Sequence, residues 1–154
     1  MWRLRNGAAA AVAVMALVSC SGGASTPATT TTTIPQALWL GQANVWLGAH
    51  SSSLKDISDA AKNLGDAAKA GNGNLAQIAV TQFLTKVGEA DGTLPDNAFG
   101  HDLHSVFIEY VSALATIRKG IVDNNQTTFK AGTDALAKAV ADFGVITTRM
   151  NASA

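Results

Sequence analysis

The stretch from Pro35 to Ala70, PQALWLGQANVWLGAHSSSLKDISDAAKNLGDAAKA, decides the fold. Leu40, Leu47, Leu54, Ala61 and Ala68 recur every seven residues, and Ala43, His50, Ile57 and Leu64 lie three further on. Together they form the a and d positions of one unbroken helical seam. Pro35 suits the first turn, where its missing N–H would have had no partner anyway, so helix one is expected over about 36–70. Its weak point is Gly48-Ala49-His50-Ser51-Ser52-Ser53, a run of poor helix formers with a Ser53/Asp56 capping pair. The heptad phase is kept across the run, so a kink is expected there rather than a break.

The same period governs the chain downstream, and no stretch alternates as a strand would. Gly71-Asn72-Gly73-Asn74 is a stop-and-restart signal. Leu75, Ala79, Phe83, Val87 and Ala90 then define one face of a helix over about 74–91. Asp96 or Asn97 can cap a third helix, about 97–120, with Phe99, Leu103, Val106, Tyr110, Ala113, Leu114, Ile117 and Ile121 as its core stripe. In the last helix, about 124–150, Phe129, Leu136, Phe143 and Met150 recur at seven, with Val140 between. Lys130, Asp134, Lys138 and Asp142 make an i, i+4 charge ladder on its other face. Short connections force neighbouring helices to run in opposite directions. The expectation for residues 36–151 is therefore all-α: an antiparallel up-down four-helix bundle with a long, kinked first helix. Gly41, Gly48, Gly65, Gly88, Gly100, Gly132 and Gly144 fall in or near these helices. They either permit close helix approach or are tolerated at a cost of about 0.5–1 kcal/mol each.

Upstream, the reading changes from fold to address. Met1-Trp2-Arg3-Leu4-Arg5 is a short basic segment, and Gly7 to Val18 is an uncharged Ala/Val-rich run that ends in small residues. This is the signal-peptide pattern, and the run is well short of the roughly twenty residues needed to span a bilayer.

Leu17-Val18-Ser19-Cys20, at the end of that run, resembles the lipobox of bacterial lipoproteins, where an aliphatic and two small residues precede a cysteine. The resemblance implies that residues 1–19 are a signal peptide recognised through Leu17, Val18 and Ser19. It further implies that the Cys20 thiol receives a diacylglyceryl group, that signal peptidase II cuts before it, and that the new amino terminus is acylated. Two or three buried chains hold a protein to a membrane where a single one is marginal. The blander alternative is ordinary signal-peptidase cleavage nearby, releasing a soluble protein with a free thiol. Residues 20–35 continue as a Ser/Gly/Thr-rich tether, including Thr29 to Thr33, which has no apolar periodicity and too little apolar surface to offset ordering. Fully extended, Ser21 to Pro35 would reach roughly 50 Å.

The composition bounds the function classes. Of 154 residues, 47% are apolar and 14% charged, with 11 Lys+Arg against 11 Asp+Glu. A balanced chain without a basic block lacks the clustered charge that nucleic-acid binding needs. Loss of residues 1–19 would remove Arg3 and Arg5 and leave the mature form slightly acidic. The single cysteine excludes a disulfide framework and any Cys-x-x-Cys site.

Candidate chemistry is sparse. His101 and His104, at i, i+3, are weak candidates for a metal pair. Helical phase places His101 opposite the core stripe and His104 at its edge, which favours solvent-facing or boundary histidines. His50, at a d position, reads either as a hydrogen-bonded core histidine or as a polar residue lining a ligand cavity. Trp39 and Trp46 sit in a repeated Trp-Leu-Gly and flank the seam at g-type positions. They either cover the end of the bundle or offer a contact surface to lipid headgroups or a partner. No nucleophile–base set, Walker A, Gly-x-Ser-x-Gly or His-Glu-x-x-His occurs. The expected function is thus a lipid-anchored envelope module that is not an enzyme and carries no cofactor. Its partners are membrane lipid through Cys20 and an envelope protein or small ligand. The alternative is a ligand- or metal-binding bundle using His50, Trp46 and Tyr110, or His101 and His104.

Overall fold

The computed structural model describes residues 34–151, and the expectations for the leader, for Cys20 and for the tether through Thr33 lie outside them. The described chain is all-helical: α1 spans Gln36–Lys69, α2 Gly73–Asp91, α3 Ala98–Val122 and α4 Gln126–Asn151. Asparagine sets three of the helix starts. Asn72 Oδ1 accepts from Leu75 N at 3.0 Å, Asn97 Oδ1 from Gly100 N at 2.9 Å and Asn125 Oδ1 from Thr128 N at 2.9 Å, each satisfying a donor that the first helical turn leaves unpaired. The left-handed residues fall at two of the turns, Gly71 (φ 62°) and Asn124 (φ 50°), the residue types that adopt this region most readily.

α1 runs through the Ser cluster as one element with a single non-helical residue, His50 (φ −129°, ψ 20°), so the weak stretch produces a kink. The core stripe of α1 differs from the expected seam on one side. Ala43, Ile57 and Leu64 are buried as expected at d, but the partner positions are Trp39, Trp46, Ala60 and Ala67, one residue before Leu40, Leu47, Ala61 and Ala68. Ala61 is buried as well, whereas Leu40, Leu47 and Leu54 are half-buried at the rim. The physical reason is size: an indole removes more apolar surface from water than a leucine side chain, so the helix turns until both tryptophans face inward.

α3 and α4 form the most extensive contact, followed by α1 with α2 and α2 with α3. Along α3 and α4 the touching residues rise on one helix as they fall on the other. A Cβ on Gly120 would collide with Phe129, a Cβ on Gly132 would lie 2.6 Å from Ile117 N, Glu109 meets Lys138, and Asp102 meets Arg149. Gly120 and Gly132 let the two backbones touch. Gly41, Gly48, Gly88 and Gly144 face open space, so both readings of the helical glycines hold, at different positions.

Phe83, Phe99, Leu103, Phe107 and Leu114 are among the largest fully buried side chains of the core. No described helix is long and apolar enough to cross a membrane.

Candidate functional site

The polar residues that converge from distant parts of the chain gather where α1 and α3 begin and α4 ends. Trp39, 1% exposed, packs edge-on against Phe99 at 5.4 Å, and its indole N–H donates to Asp102 Oδ2 at 2.8 Å. The same carboxylate oxygen accepts from Arg149 Nη1 at 3.0 Å. Arg149 lies with its guanidinium 4.1 Å over the Trp39 ring, and its Nε donates to Gln36 Oε1 at 2.9 Å. Gln36 Nε2 in turn donates to the Arg149 carbonyl at 3.1 Å. Gln42 Oε1 accepts from Phe99 N at 3.3 Å. Sequence reasoning missed Gln36, Asp102 and Arg149 in this cluster. Their spacing in the chain carries no signal, because i, i+3 and i, i+4 rules apply only within a helix.

Trp46, 4% exposed, donates from its indole N–H to the carbonyl and hydroxyl oxygens of Thr93 at 3.1 and 3.2 Å. This fastens α1 to the loop between α2 and α3. The reading of both tryptophans as an exposed contact surface is therefore corrected: their rings are in the core and their N–H groups are already paired within the protein. His50 stacks on Trp46 at 5.1 Å with the planes 19° apart, and its Nδ1 lies 3.0 Å from the Trp46 carbonyl, an arrangement that requires the proton on Nδ1. The imidazole is half-buried at the kink. Its ring caps the broken turn.

Tyr110 lies between Phe83 at 5.6 Å and Phe143 at 6.4 Å, and burial pushes its hydroxyl pKa well above the ordinary value. It belongs to the middle of the core and not to the Trp39–Trp46 end.

His101 and His104 do not converge on a shared ligand position. His101 Nε2 pairs with Asp96 Oδ1 at 2.8 Å, while His104 Nδ1 pairs with Asp91 Oδ1 at 2.6 Å, which ties the end of α2 to the start of α3. Among the described residues, no group of three or more His, Cys, Asp or Glu side chains is placed to hold a metal ion.

The charged groups are largely solvated. Lys130–Asp134 and Lys138–Asp142 form at 2.6 Å each, and Lys138 also reaches across to Glu109 at 3.0 Å. The hydrogen bond from Lys138 holds the Asp142 carboxyl below the usual carboxylate range. Pairs this exposed contribute at most about 1 kcal/mol each. Every buried side-chain nitrogen or oxygen among the described residues has a hydrogen-bond partner.

Compared with protein-family models, with curated proteins and with solved structures, the chain finds no match in any of the three.

Proposed function

We propose that the chain is a bacterial lipoprotein, anchored through Cys20 on the extracytoplasmic side of a membrane of the cell envelope. There it presents a small antiparallel up-down four-helix bundle as a non-enzymatic interaction module. One observation carries this reading: the only cysteine of 154 residues falls directly after Leu17-Val18-Ser19, at the end of an uncharged run with two arginines before it. A thiol in that place can be alkylated at the membrane surface, and small neighbours let the peptide enter a protease site. The opposed residue order of the α1–α2, α2–α3 and α3–α4 contacts supports the bundle arrangement. Asp56 meets Lys86, with Trp46 meeting Thr93 just past the end of α2; Phe83 meets Tyr110 and Asp91 meets His104; Gly132 approaches Ile117 and Arg149 meets Asp102. Each described Asp and Glu side chain pairs with a Lys, Arg or His, which fits a surface of solvated ion pairs around a packed bundle.

The test is the full chain produced in a bacterial host beside its Cys20→Ala variant. The wild type is expected in the membrane fraction and in the detergent phase, with a mass increased by acyl chains on residue 20, and the variant in the aqueous phase. Identical partitioning of the two would overturn the anchor. Capture of the lipidated protein with its neighbours from its own envelope then identifies the partner.

A further inference from the structure

The surface of the protein is unevenly charged. From Gln36 to Leu54 there is no Lys, Arg, Asp or Glu, while Lys55, Asp56, Asp59, Lys62, Asp66 and Lys69 crowd the rest of α1. On this uncharged half the side turned away from the core presents Leu38, 54% exposed, and Val45, 78% exposed. Gly41 and Gly48 lie between and beyond them, with nothing within 4 Å of where a side chain would begin. Spacings of three and four put these residues on one stripe. The stripe starts only eighteen residues after Cys20, and the intervening chain reaches at most about 50 Å from Ser21 to Pro35.

We propose that this stripe, Leu38, Gly41, Val45 and Gly48, lies on the lipid surface to which Cys20 ties the chain, so that the domain rests on the bilayer along the first half of α1. The inference rests on the lipoprotein reading and adds a docked orientation to it. Two apolar side chains bind an interface weakly by themselves. A tether changes this, because it turns docking into an intramolecular step at high effective concentration. The bilayer is the surface that the anchor keeps within reach, and a stripe without charge meets no desolvation penalty there. The glycines keep the helix backbone low against the interface. Leu75 and Ile78, 50% and 55% exposed in the uncharged stretch from Ala70 to Thr85, make a similar pair, but at the start of α2, beyond the end of α1 that lies farthest along the chain from Cys20. Val122, 63% exposed, stands between Lys119 and Asp123 at the far end of α3, roughly 35 Å along that helix from Phe99, which packs on Trp39 and Trp46.

The experiment uses the full chain processed in a bacterial host, carrying either Val45→Cys or Val122→Cys. Both positions are exposed, so neither change disturbs the core, and an acylated Cys20 leaves the introduced thiol as the sole site for an environment-sensitive fluorophore. The labelled proteins are reconstituted into phosphatidylethanolamine–phosphatidylglycerol vesicles containing a nitroxide lipid. The label at 45 is expected to shift to the blue and to be quenched by the nitroxide lipid, the label at 122 to do neither, and Leu38→Ser to weaken the effect at 45. Protein that carries acyl chains and floats with the vesicles, but whose label at 45 is quenched no more than that at 122, overturns the docking and leaves the anchor standing. Protein without acyl chains on Cys20 overturns the anchor and the docking with it. Concentration-dependent self-quenching at 45 without quenching by lipid assigns the stripe to a second copy and overturns the lipid as occupant.

Discussion

Arg149, near the end of the last helix, lies with its guanidinium carbon 4.1 Å from the ring centre of Trp39, near the start of the first. Asp102 joins them, accepting from the Trp39 indole and from the Arg149 guanidinium on one oxygen. Three helices are closed at one end by this contact. It combines a cation over an aromatic face, worth about 0.5–1 kcal/mol when exposed and more when desolvated, with an ion pair whose two side chains are about one-third exposed.

Asp102→Ala leaves a buried indole N–H without its acceptor and the guanidinium without its counter-charge, so a loss of about 1–3 kcal/mol is expected. Arg149→Ala should cost about 1 kcal/mol, since the indole keeps its acceptor. In a double-mutant cycle read from urea unfolding, Asp102 and Arg149 should couple by at least about 0.5 kcal/mol. Strictly additive losses would mean that the two act independently.

The rotated seam of α1 makes an ordering of stabilities. Trp39→Ala and Trp46→Ala empty core volume and strip partners from Asp102 and Thr93, and each should cost about 3–5 kcal/mol. Leu40→Ala and Leu47→Ala, at the half-buried rim, should each cost less than about 2 kcal/mol. Urea midpoints with a common slope decide it, and leucine losses larger than the tryptophan losses would return the seam to the position expected from spacing.

Glycine substitutions separate the two roles of this residue. Gly120→Ala and Gly132→Ala place a Cβ against the backbones of Phe129 and Ile117, where neither side can yield cheaply, and should destabilise strongly. Gly88→Ala and Gly144→Ala meet open space within helices and should stabilise by about 0.5–1 kcal/mol. Thermal midpoints of the four variants check the contrast. A stabilised Gly132→Ala would contradict the close crossing of α3 and α4.

Tyr110 fixes the behaviour at high pH. Its hydroxyl pKa is raised in the folded protein by burial, so the folded state holds a proton that the unfolded chain releases near pH 10. The resulting stability is complete below that value and is lost as pH rises beyond it, by about 1.4 kcal/mol per pH unit. The chain has a single tyrosine, so phenolate absorbance reads this residue alone. Absorbance should appear together with unfolding, and Tyr110→Phe should flatten the alkaline fall in stability. Titration of the tyrosine near pH 10 in a folded protein would remove the burial as cause.

Much of the fold is visible in the residues because the signals are local. Asn72 and Asn97 stand where a side-chain oxygen can reach the third following N–H, and Gly71 supplies the left-handed turn between α1 and α2. The poor helix formers around His50 locate the kink. The α1 stripe was legible only to within one residue. Heptad spacing is satisfied equally by Leu40–Leu47–Leu54 and by Trp39–Trp46, and periodicity alone does not weigh a larger ring against a smaller chain. The glycines were visible but not their roles, since a Cβ clash depends on which helix lies opposite.

Local signals along the chain carry the helical content, the Asn97 cap, the turn at Gly71 to Asn74 and the lipobox-like cysteine from which the anchor is proposed, because each rests on groups within a few residues of one another. The Asn125 cap escapes that reading, and the Ser53/Asp56 pair does not form a cap in α1. Helix packing fixes which side of α1 faces inward, which glycines are needed, and that His101 and His104 serve separate carboxylates. It alone joined Trp39 to Asp102 and Asp102 to Arg149, residues 63 and 47 positions apart. Contacts of that kind form when helices pack, and their energy depends on distance and burial in space, which chain spacing does not encode.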